Sequence, residues 1–282
     1  MATTFIKNRE ITRERPNLLV LVIASNNTVV GILSKIREAA TILLVRPSEA
    51  RNALEVFMVK RPGRGDFPDL HVYPGGKVDH SDSEIFDCCV GFDDVVASER
   101  LHVQSKGLRF WVTVIRECFE EAGVLLARRN GQPFTYQSQK EKDRYSEIQG
   151  HLMAGEMDFS EFVRSEKLQL AVSDVYYLSH WITPSSAPAR FDTRFFLAAM
   201  PDDQVADRHE RELVSGQWVT ATDALEHHEN KRWQMIYPTI TNLKSIASYS
   251  TVAEVVTAVE KRQHLPSINT ELHQQGMQYD SV

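Results

Sequence analysis

The sequence has few cysteines and no long apolar run. Only three cysteines occur in 282 residues, and two of them, Cys88 and Cys89, are adjacent. This number and spacing exclude a disulfide framework and a CxxC metal pair, so a reducing compartment is expected. No run approaches the roughly 18 apolar residues of a membrane-spanning helix. With no signal-peptide, transit-peptide or SKL-type pattern, we expect a cytoplasmic protein without a membrane partner, although mitochondrial and peroxisomal locations stay open.

The sequence also lacks an excess of positive charge. Its formal net charge is −6, which argues against a nucleic-acid partner at the level of overall charge. The content of 42% hydrophobic and 25% charged residues is ordinary for a globular protein and excludes a disordered one. The chain is long enough to bury a sizeable core. Charge and composition are compatible with a small-molecule partner, and whether the chain forms a homodimer is left open.

Strand and helix patterns alternate irregularly along the chain. Patterns typical of strands occur at residues 18–24, 29–33, 41–45, 54–60, 71–73, 175–182, 194–199 and 216–220. Patterns typical of helices occur at residues 108–122, 223–228, 237–247 and 251–262. Because strands and helices are mixed without regular βαβ units, the sequence predicts an α+β fold.

We divide the chain into three parts. Residues 1–38 form an N-terminal extension with a predicted hairpin, residues 39–262 form the main domain, and residues 263–282 form a polar tail. Within the main domain, residues of about 83–107 are polar, acidic and without periodicity. That composition predicts an inserted loop or small helical excursion that lies away from the core and shapes substrate access or a dimer contact.

The helix predicted over 108–122 carries three carboxylates. Glu117, Glu120 and Glu121 lie at positions i, i+3 and i+4, so they share one face, which we expect to be exposed. Like charges so placed repel each other, and a divalent cation such as Mg²⁺ removes that repulsion because it prefers oxygen ligands. Arg116 can orient or neutralise part of the cluster. The alternative interpretation is a solvated acidic helix face.

The residues from Arg116 to Val124, REcFEEaGV, closely resemble the second half of the Nudix box. That box reads G, five residues, E, seven residues, REUxEExGU, where U is aliphatic. Gly76 and the five residues after it resemble the first half, with Asp82 in place of the glutamate. Thirty-three residues separate Asp82 from Arg116 where the family pattern has seven.

The interruption of the box resembles the acyl-CoA diphosphatase branch of the Nudix hydrolases. The resemblance implies an α/β/α sandwich with a mixed β-sheet, in which the 108–122 helix packs on one side and the C-terminal helices on the other. It also implies that Mg²⁺ or Mn²⁺ is bound by Glu117, Glu120 and Glu121, with the Gly76 carbonyl as an additional ligand. A further glutamate from a later loop often acts as base or ligand in this family; Glu212 is the candidate here, and Glu210 is the alternative.

The implied reaction is hydrolysis of the diphosphate of CoA or acyl-CoA to 3′,5′-ADP and (acyl-)phosphopantetheine. Candidate substrate-binding cations are Arg61, Arg64, Arg190 and Arg194, because a CoA substrate carries a diphosphate and a 3′-phosphate. Surface arginines in salt bridges are an equally open interpretation. Two other functions remain: a pyrophosphatase acting on ADP-ribose, nucleotide sugars or dinucleotides, and a Nudix module that binds a nucleotide without catalysis.

Overall fold

A computed structural model describes residues 18–19, 33–34, 36–63, 68–185, 187, 189–207, 214–261 and 267–269. The strands are β1 Leu18–Leu19, β2 Leu33–Ser34, β3 Arg37–Pro47, β4 Leu54–Lys60, β5 His71–Val72, β6 Gly75–Lys77, β7 Cys89–Val90, β8 Ala127–Arg129, β9 Gln132–Pro133, β10 Gln169–Ala171, β11 Val175–Ile182, β12 Phe191–Ala199, β13 Ser215–Thr220 and β14 Ser267–Asn269. The helices are α1 Asp94–Leu101, α2 Leu108–Ala122, α3 Gln139–Met153, α4 Phe159–Ser165, α5 Ala221–Glu229, α6 Tyr237–Ile246 and α7 Val252–Glu260.

The main sheet is mixed and has the order β13-β4-β3-β12-β11-β14, with β5 added to β4 and β6 added to β3. β12 runs parallel to β3, and β14 runs parallel to β11, while the other pairs are antiparallel. A smaller sheet has the order β7-β10-β8-β9. Among the described residues, no helix is long and apolar enough to cross a membrane.

Alternate residues of the central strand β3 belong to two separate cores. Ile42 and Leu44 are fully buried in the cluster that contains the apolar face of α2. Leu43 and Val45 are fully buried in the cluster that contains residues of α5, α6 and α7. Since successive side chains of a strand point to opposite faces, the sheet lies between two helical layers. The predicted α+β sandwich, with α2 on one side and the C-terminal helices on the other, is confirmed.

Helix α2 has the predicted boundaries. Its apolar residues, including Trp111, Ile115 and Cys118, are fully buried. It ends at Gly123, whose φ of 68° is the left-handed conformation that favours glycine at a helix C-terminus. Helices α3 and α4 cover its other flank, where the ring of Phe119 stacks on Phe162 with centroids 5.3 Å apart. The sequence patterns did not predict α3 or α4.

The segment of residues 83–107 contributes to the core, so the expectation that its composition excludes it from the core was wrong. It contains the predicted helical excursion, α1, but Ile85, Ala97 and Leu101 of this segment are buried in the core that surrounds α2. The carboxylate of Asp94 accepts hydrogen bonds from the backbone N–H groups of Lys106 and Leu108. The insertion therefore packs into the core and holds the N-terminus of α2. The prediction was wrong because it relied on the polar composition of the segment.

The two ends of the chain also differ from the predicted parts. β3 begins at Arg37, inside the predicted extension, and β14 pairs with β11 from within the predicted polar tail. The paired residues of β1 and β2 agree with the outer ends of the predicted N-terminal hairpin. The rest of that hairpin lies outside the described residues.

Candidate active site

Arg116 joins the two halves of the interrupted box. Its Nε donates to Asp82 Oδ1 at 2.8 Å, and its Nη2 donates to Asp82 Oδ2 and to the Lys77 carbonyl, each at 3.0 Å. Its Nη1 donates to Glu117 at 2.9 Å and to Glu120 at 3.0 Å. The intervening insertion therefore leaves the two halves of the box in contact.

Asp82 is a buried anchor for this contact, with 1% of its surface exposed. Besides Arg116, its carboxylate accepts hydrogen bonds from the Thr113 hydroxyl at 2.7 Å and the Asp79 backbone N–H at 2.8 Å. The sequence placed Asp82 in the box but gave no signal for Thr113. Four donors to one carboxylate hold α2 and the loop after β6 in a fixed relation.

The carboxylates of α2 lie under β6, so the expectation of an exposed acidic face was wrong. Glu117 and Glu121 are buried, and Glu121 Oε2 accepts a hydrogen bond from the Gly75 N–H at 2.8 Å. The Glu117 carboxylate lies so close to Gly76 that a Cβ added there would be 2.3 Å from its Oε1. A side chain at position 76 would therefore displace the Glu117 carboxylate, and the short strand β6 is what covers this face.

Glu120 lies at the edge of the same cluster. Burial raises the pKa of its carboxyl to about 7, although Arg116 opposes this shift. The charge of Glu117 adds to the increase in that pKa. From α3, the Gln149 side chain donates to the Glu120 backbone carbonyl at 2.8 Å and so fixes this turn of α2. The cluster therefore holds more negative charge than one arginine neutralises, which favours a bound cation.

The chemistry of these donors suits a divalent metal ion. Carboxylate oxygens are the ligands that Mg²⁺ prefers; Asp82, Glu117 and Glu120 surround a single guanidinium, and the Glu121 carboxylate is held nearby by the Gly75 N–H. In the described residues, no group of three or more acidic, histidine or cysteine side chains is already spaced to share one ion. Arg116 occupies the space between Glu117 and Glu120, so closing these carboxylates on an ion requires that guanidinium to release them.

A cavity of about 830 Å³ opens beside this cluster. Gly75, Gly76, Glu117 and Glu121 line one end, and Arg61 also lines the cavity. Its opposite wall is aromatic and apolar, with residues of β11, β12 and the start of α6: Trp181, Ile182, Phe191, Phe195, Ile236 and Tyr237. The sequence analysis did not single out Trp181, Phe191 or Tyr237 as cavity residues.

The predicted substrate cations fall in different places. Arg61 lines the cavity, whereas Arg190 donates to the Thr183 carbonyl at 3.3 Å and is not part of the lining. Arg64, Glu210 and Glu212 lie outside the described residues, so the predicted cation and the downstream glutamate stay predictions.

The structure places Arg194 in the core and not in the lining of the cavity. It is buried on the opposite face of β12 from Phe191 and Phe195, because side chains alternate along the strand. There it pairs with Asp192 at 2.7 Å and lies over the ring of Phe110 at 4.3 Å. Its role is to fill the core between β12 and α2.

Comparisons with known proteins place this geometry in a family. The family model described as the NUDT19 Nudix domain matches residues 93–246. The chain is 23% identical over 217 residues to "Putative nudix hydrolase 7" of Caenorhabditis elegans, covering 77% of this chain and 62% of that protein. It is 21% identical over 244 residues to "Acyl-coenzyme A diphosphatase NUDT19" of Xenopus laevis, covering 74% of this chain and 64% of that protein. The chain thus spans slightly less than two thirds of either relative.

A solved structure supports the same assignment at the level of the fold. The NUDIX hydrolase from Alicyclobacillus acidocaldarius superimposes with a TM-score of 0.63 and 26% sequence identity. The match covers 79% of this chain and 96% of that one. The predicted fold family is confirmed.

Proposed function

Because this chain belongs to the NUDT19 Nudix domain family of Nudix hydrolases, we propose that it hydrolyses the diphosphate bond of CoA or acyl-CoA. The products are 3′,5′-ADP and (acyl-)phosphopantetheine. The observation that carries the proposal is the contact of the two box halves through Arg116 at the end of a cavity of about 830 Å³. That cavity also contains Arg61, which supplies positive charge for a phosphate.

Glu117, Glu120 and Glu121 would hold Mg²⁺ or Mn²⁺, with the Gly76 carbonyl as an additional ligand. The bound metal polarises a phosphoryl oxygen and activates a water molecule. Without the metal, Arg116 pairs with Glu117 and Glu120 and ties both of them to Asp82. Glu212, or Glu210 in its place, would accept the proton of the attacking water, since a later glutamate is needed on the substrate side.

Arg61 would bind the 3′-phosphate of the substrate and hold its nucleotide portion in the cavity. A charge-assisted hydrogen bond to phosphate contributes about 1.5–3 kcal/mol, so Arg61→Ala should lower kcat/KM roughly ten- to a hundredfold. Arg128→Ala is the matched control, because Arg128 makes a partly exposed ion pair with Asp174 and does not line the cavity. That control should leave kcat/KM unchanged.

The test is a panel of CoA, dephospho-CoA and ADP-ribose in the presence of Mg²⁺, with products identified by mass. We expect the highest kcat/KM for CoA and a loss in Arg61→Ala that is larger for CoA than for dephospho-CoA. Nucleotide binding without turnover of any substrate would contradict the proposal and indicate a non-catalytic module.

A second candidate is hydrolysis of ADP-ribose, nucleotide sugars or dinucleotides. This second function is favoured because Arg194 does not line the cavity. Among the described residues, the basic side chains in the lining are those of Arg61, Lys77 and Arg116. Arg116 is engaged by carboxylates, so little positive charge remains for a 3′-phosphate. A higher kcat/KM for ADP-ribose than for CoA, with no effect of the 3′-phosphate in any variant, would establish this second function.

A further inference from the structure

The end of the cavity opposite the carboxylates is a corner between two aromatic rings. Trp181 on β11 and Tyr237 at the start of α6 have ring centroids 5.5 Å apart and ring planes 71° apart. Trp181 is buried, with 3% of its surface exposed, whereas Tyr237 is 39% exposed and lies at the mouth. The two residues, here called the aromatic corner, come from the sheet and from a helix that packs on it.

Strand register fixes how far the aromatic corner lies from the carboxylate cluster. Lys77 of β6 pairs with Ala39, Ala39 pairs with Thr193, and Thr193 pairs with Trp181. Three inter-strand steps of nearly 5 Å separate β6 from β11 by about 14 Å. The floor between them carries the small side chains of Ala39 and Thr193, which leave the passage open. A diphosphate held at β6 is too short to reach the corner, so the corner meets a substituent attached to it.

The chemistry around the aromatic corner is mainly apolar. Among the described residues that line the cavity, the carboxylates lie at the β6 end, and the residues next to the corner in sequence are Ile182, Thr183, Pro184, Ile236, Pro238 and Thr239. Rings 71° apart form an angle rather than a slot, and a flat nucleobase is clamped only between nearly parallel faces. A flexible apolar chain suits this shape better than a base.

We propose that the aromatic corner binds a flexible apolar arm of the substrate, namely the acyl chain of an acyl thioester. This inference rests on the proposed hydrolysis of CoA-type diphosphates. It makes Trp181 and Tyr237 residues that determine specificity, while the nucleotide portion lies toward Arg61.

A chain of hydrogen bonds holds the two walls of the corner together. The Trp181 indole N–H donates to Ser179 Oγ at 3.0 Å, and the Ser179 hydroxyl donates to Asn242 Oδ1 at 2.8 Å. Ser179 follows an irregularity in β11, and Asn242 lies in the helix that begins at Tyr237. The indole is therefore fixed to the same helix that supplies the second ring, which keeps the corner open to an arm without rearrangement.

The experiment compares kcat and KM for free CoA and for acyl-CoA substrates of increasing chain length, in the wild type, Tyr237→Ala and Tyr237→Phe. In the wild type, KM should fall with chain length, by roughly three- to fourfold for each methylene that becomes fully buried. Tyr237→Ala should raise KM for long chains about tenfold or more, while KM for free CoA changes less than about twofold. Tyr237→Phe keeps the ring and should behave as the wild type.

Tyr237 is exposed enough that its replacement should leave folding intact, which unfolding curves of each variant check. Cleavage of CoA without any dependence on chain length would overturn the inference and leave the proposed function standing. An equal loss for free CoA and acyl-CoA in Tyr237→Ala would also overturn it, because the corner would then hold the nucleotide. Cleavage of ADP-ribose but not of CoA would overturn both.

Discussion

Asp82 is a single carboxylate that connects the loop after β6 to α2 through Arg116 and Thr113. Because both ionic partners are buried, Asp82→Asn should leave part of the Arg116 charge uncompensated and destabilise the fold by about 3 kcal/mol. Turnover should fall as well, since Arg116 loses its fixed orientation. Urea unfolding and Mg²⁺-dependent turnover measure the two effects.

The control for that variant is Asp87→Asn. Asp87 pairs with Arg164 at 2.6 Å, but its side chain is 63% exposed, so the substitution should cost less than about 1 kcal/mol. Equal destabilisation by the two substitutions would show that burial of Asp82 does not matter.

His71 makes the stability of the fold depend on pH. Its ring stacks on Trp233 with centroids 4.2 Å apart, and its Nδ1 is buried without a hydrogen-bond partner. Burial lowers the pKa of His71 to about 4, and the charge of Lys60 contributes to that decrease. The unfolded chain binds the proton more readily, with a pKa near 6.5. The contribution of neutral His71 to the free energy of unfolding is therefore fully present above a pH of about 6.5. It is lost as the pH falls from about 6.5 toward 4.

The expected loss from this group is about 2 kcal/mol between pH 7 and pH 5. His71→Phe keeps a ring against Trp233 and removes the titration, so its stability should change less over this range than that of the wild type. His80→Gln is the control, because the His80 side chain is 90% exposed. Unfolding free energies at both pH values measure the difference. Identical pH dependence in the wild type and His71→Phe would contradict the assignment.

At the scale of elements, helix α1 belongs to the core although its composition is polar. Leu101, the last residue of α1, is buried in the core around α2. Leu101→Ala should therefore destabilise the protein by about 2–4 kcal/mol. In the same helix, Val95 is 65% exposed, and Val95→Ala should cost less than about 0.5 kcal/mol. Thermal or urea unfolding of both variants decides whether the insertion is structural. Similar small effects would restore the expectation of a peripheral loop.

The strongly periodic elements were predictable from the sequence, and the others were not. α2 combines an apolar face with Gly123 at its end, and β4 and β11 are apolar runs between turn residues, so their boundaries agree with the prediction. α3 is mostly polar and is buried only through a few residues such as Tyr145 and Ile148. Its packing depends on the ring of Phe119, which comes from a distant part of the sequence. Local sequence patterns do not indicate a tertiary contact of this kind.

For the whole molecule, the carboxylate cluster should decrease stability in the absence of metal and increase it when metal is bound. Glu120 is partly buried beside Glu117 and Asp82, so Glu120→Gln removes unfavourable charge and should give a Tm at or above that of the wild type in EDTA. Millimolar Mg²⁺ should raise the Tm of the wild type and have little effect on the variant. The variant's kcat should fall by at least about a hundredfold.

Glu147→Gln on the exposed side of α3 is the control, and it should match the wild type in Tm and in turnover. A Glu120→Gln variant with normal Mg²⁺-dependent turnover would show that Glu120 is not a ligand.

The sequence identified the residues of the cluster but not their surroundings. The spacing of Glu117, Glu120 and Glu121 placed them on one face of a helix. The burial of that face depends on β6, which pairs with β3, and both strands are distant from α2 in the sequence. The same limit applies to Arg194. Both faces of β12 mix polar and apolar side chains, so alternation alone did not indicate which of them point into the cavity.

The two helical layers on either side of the sheet share the cavity but contribute different ends of it. The carboxylates come from α2, and the exposed ring of the aromatic corner comes from α6, which belongs to the other core. Substitutions that accumulate in α6 can therefore change which molecules fit without disturbing the groups that break the diphosphate bond. During evolution, a fold divided in this way can acquire new substrates through changes in one layer while selection keeps the other layer constant.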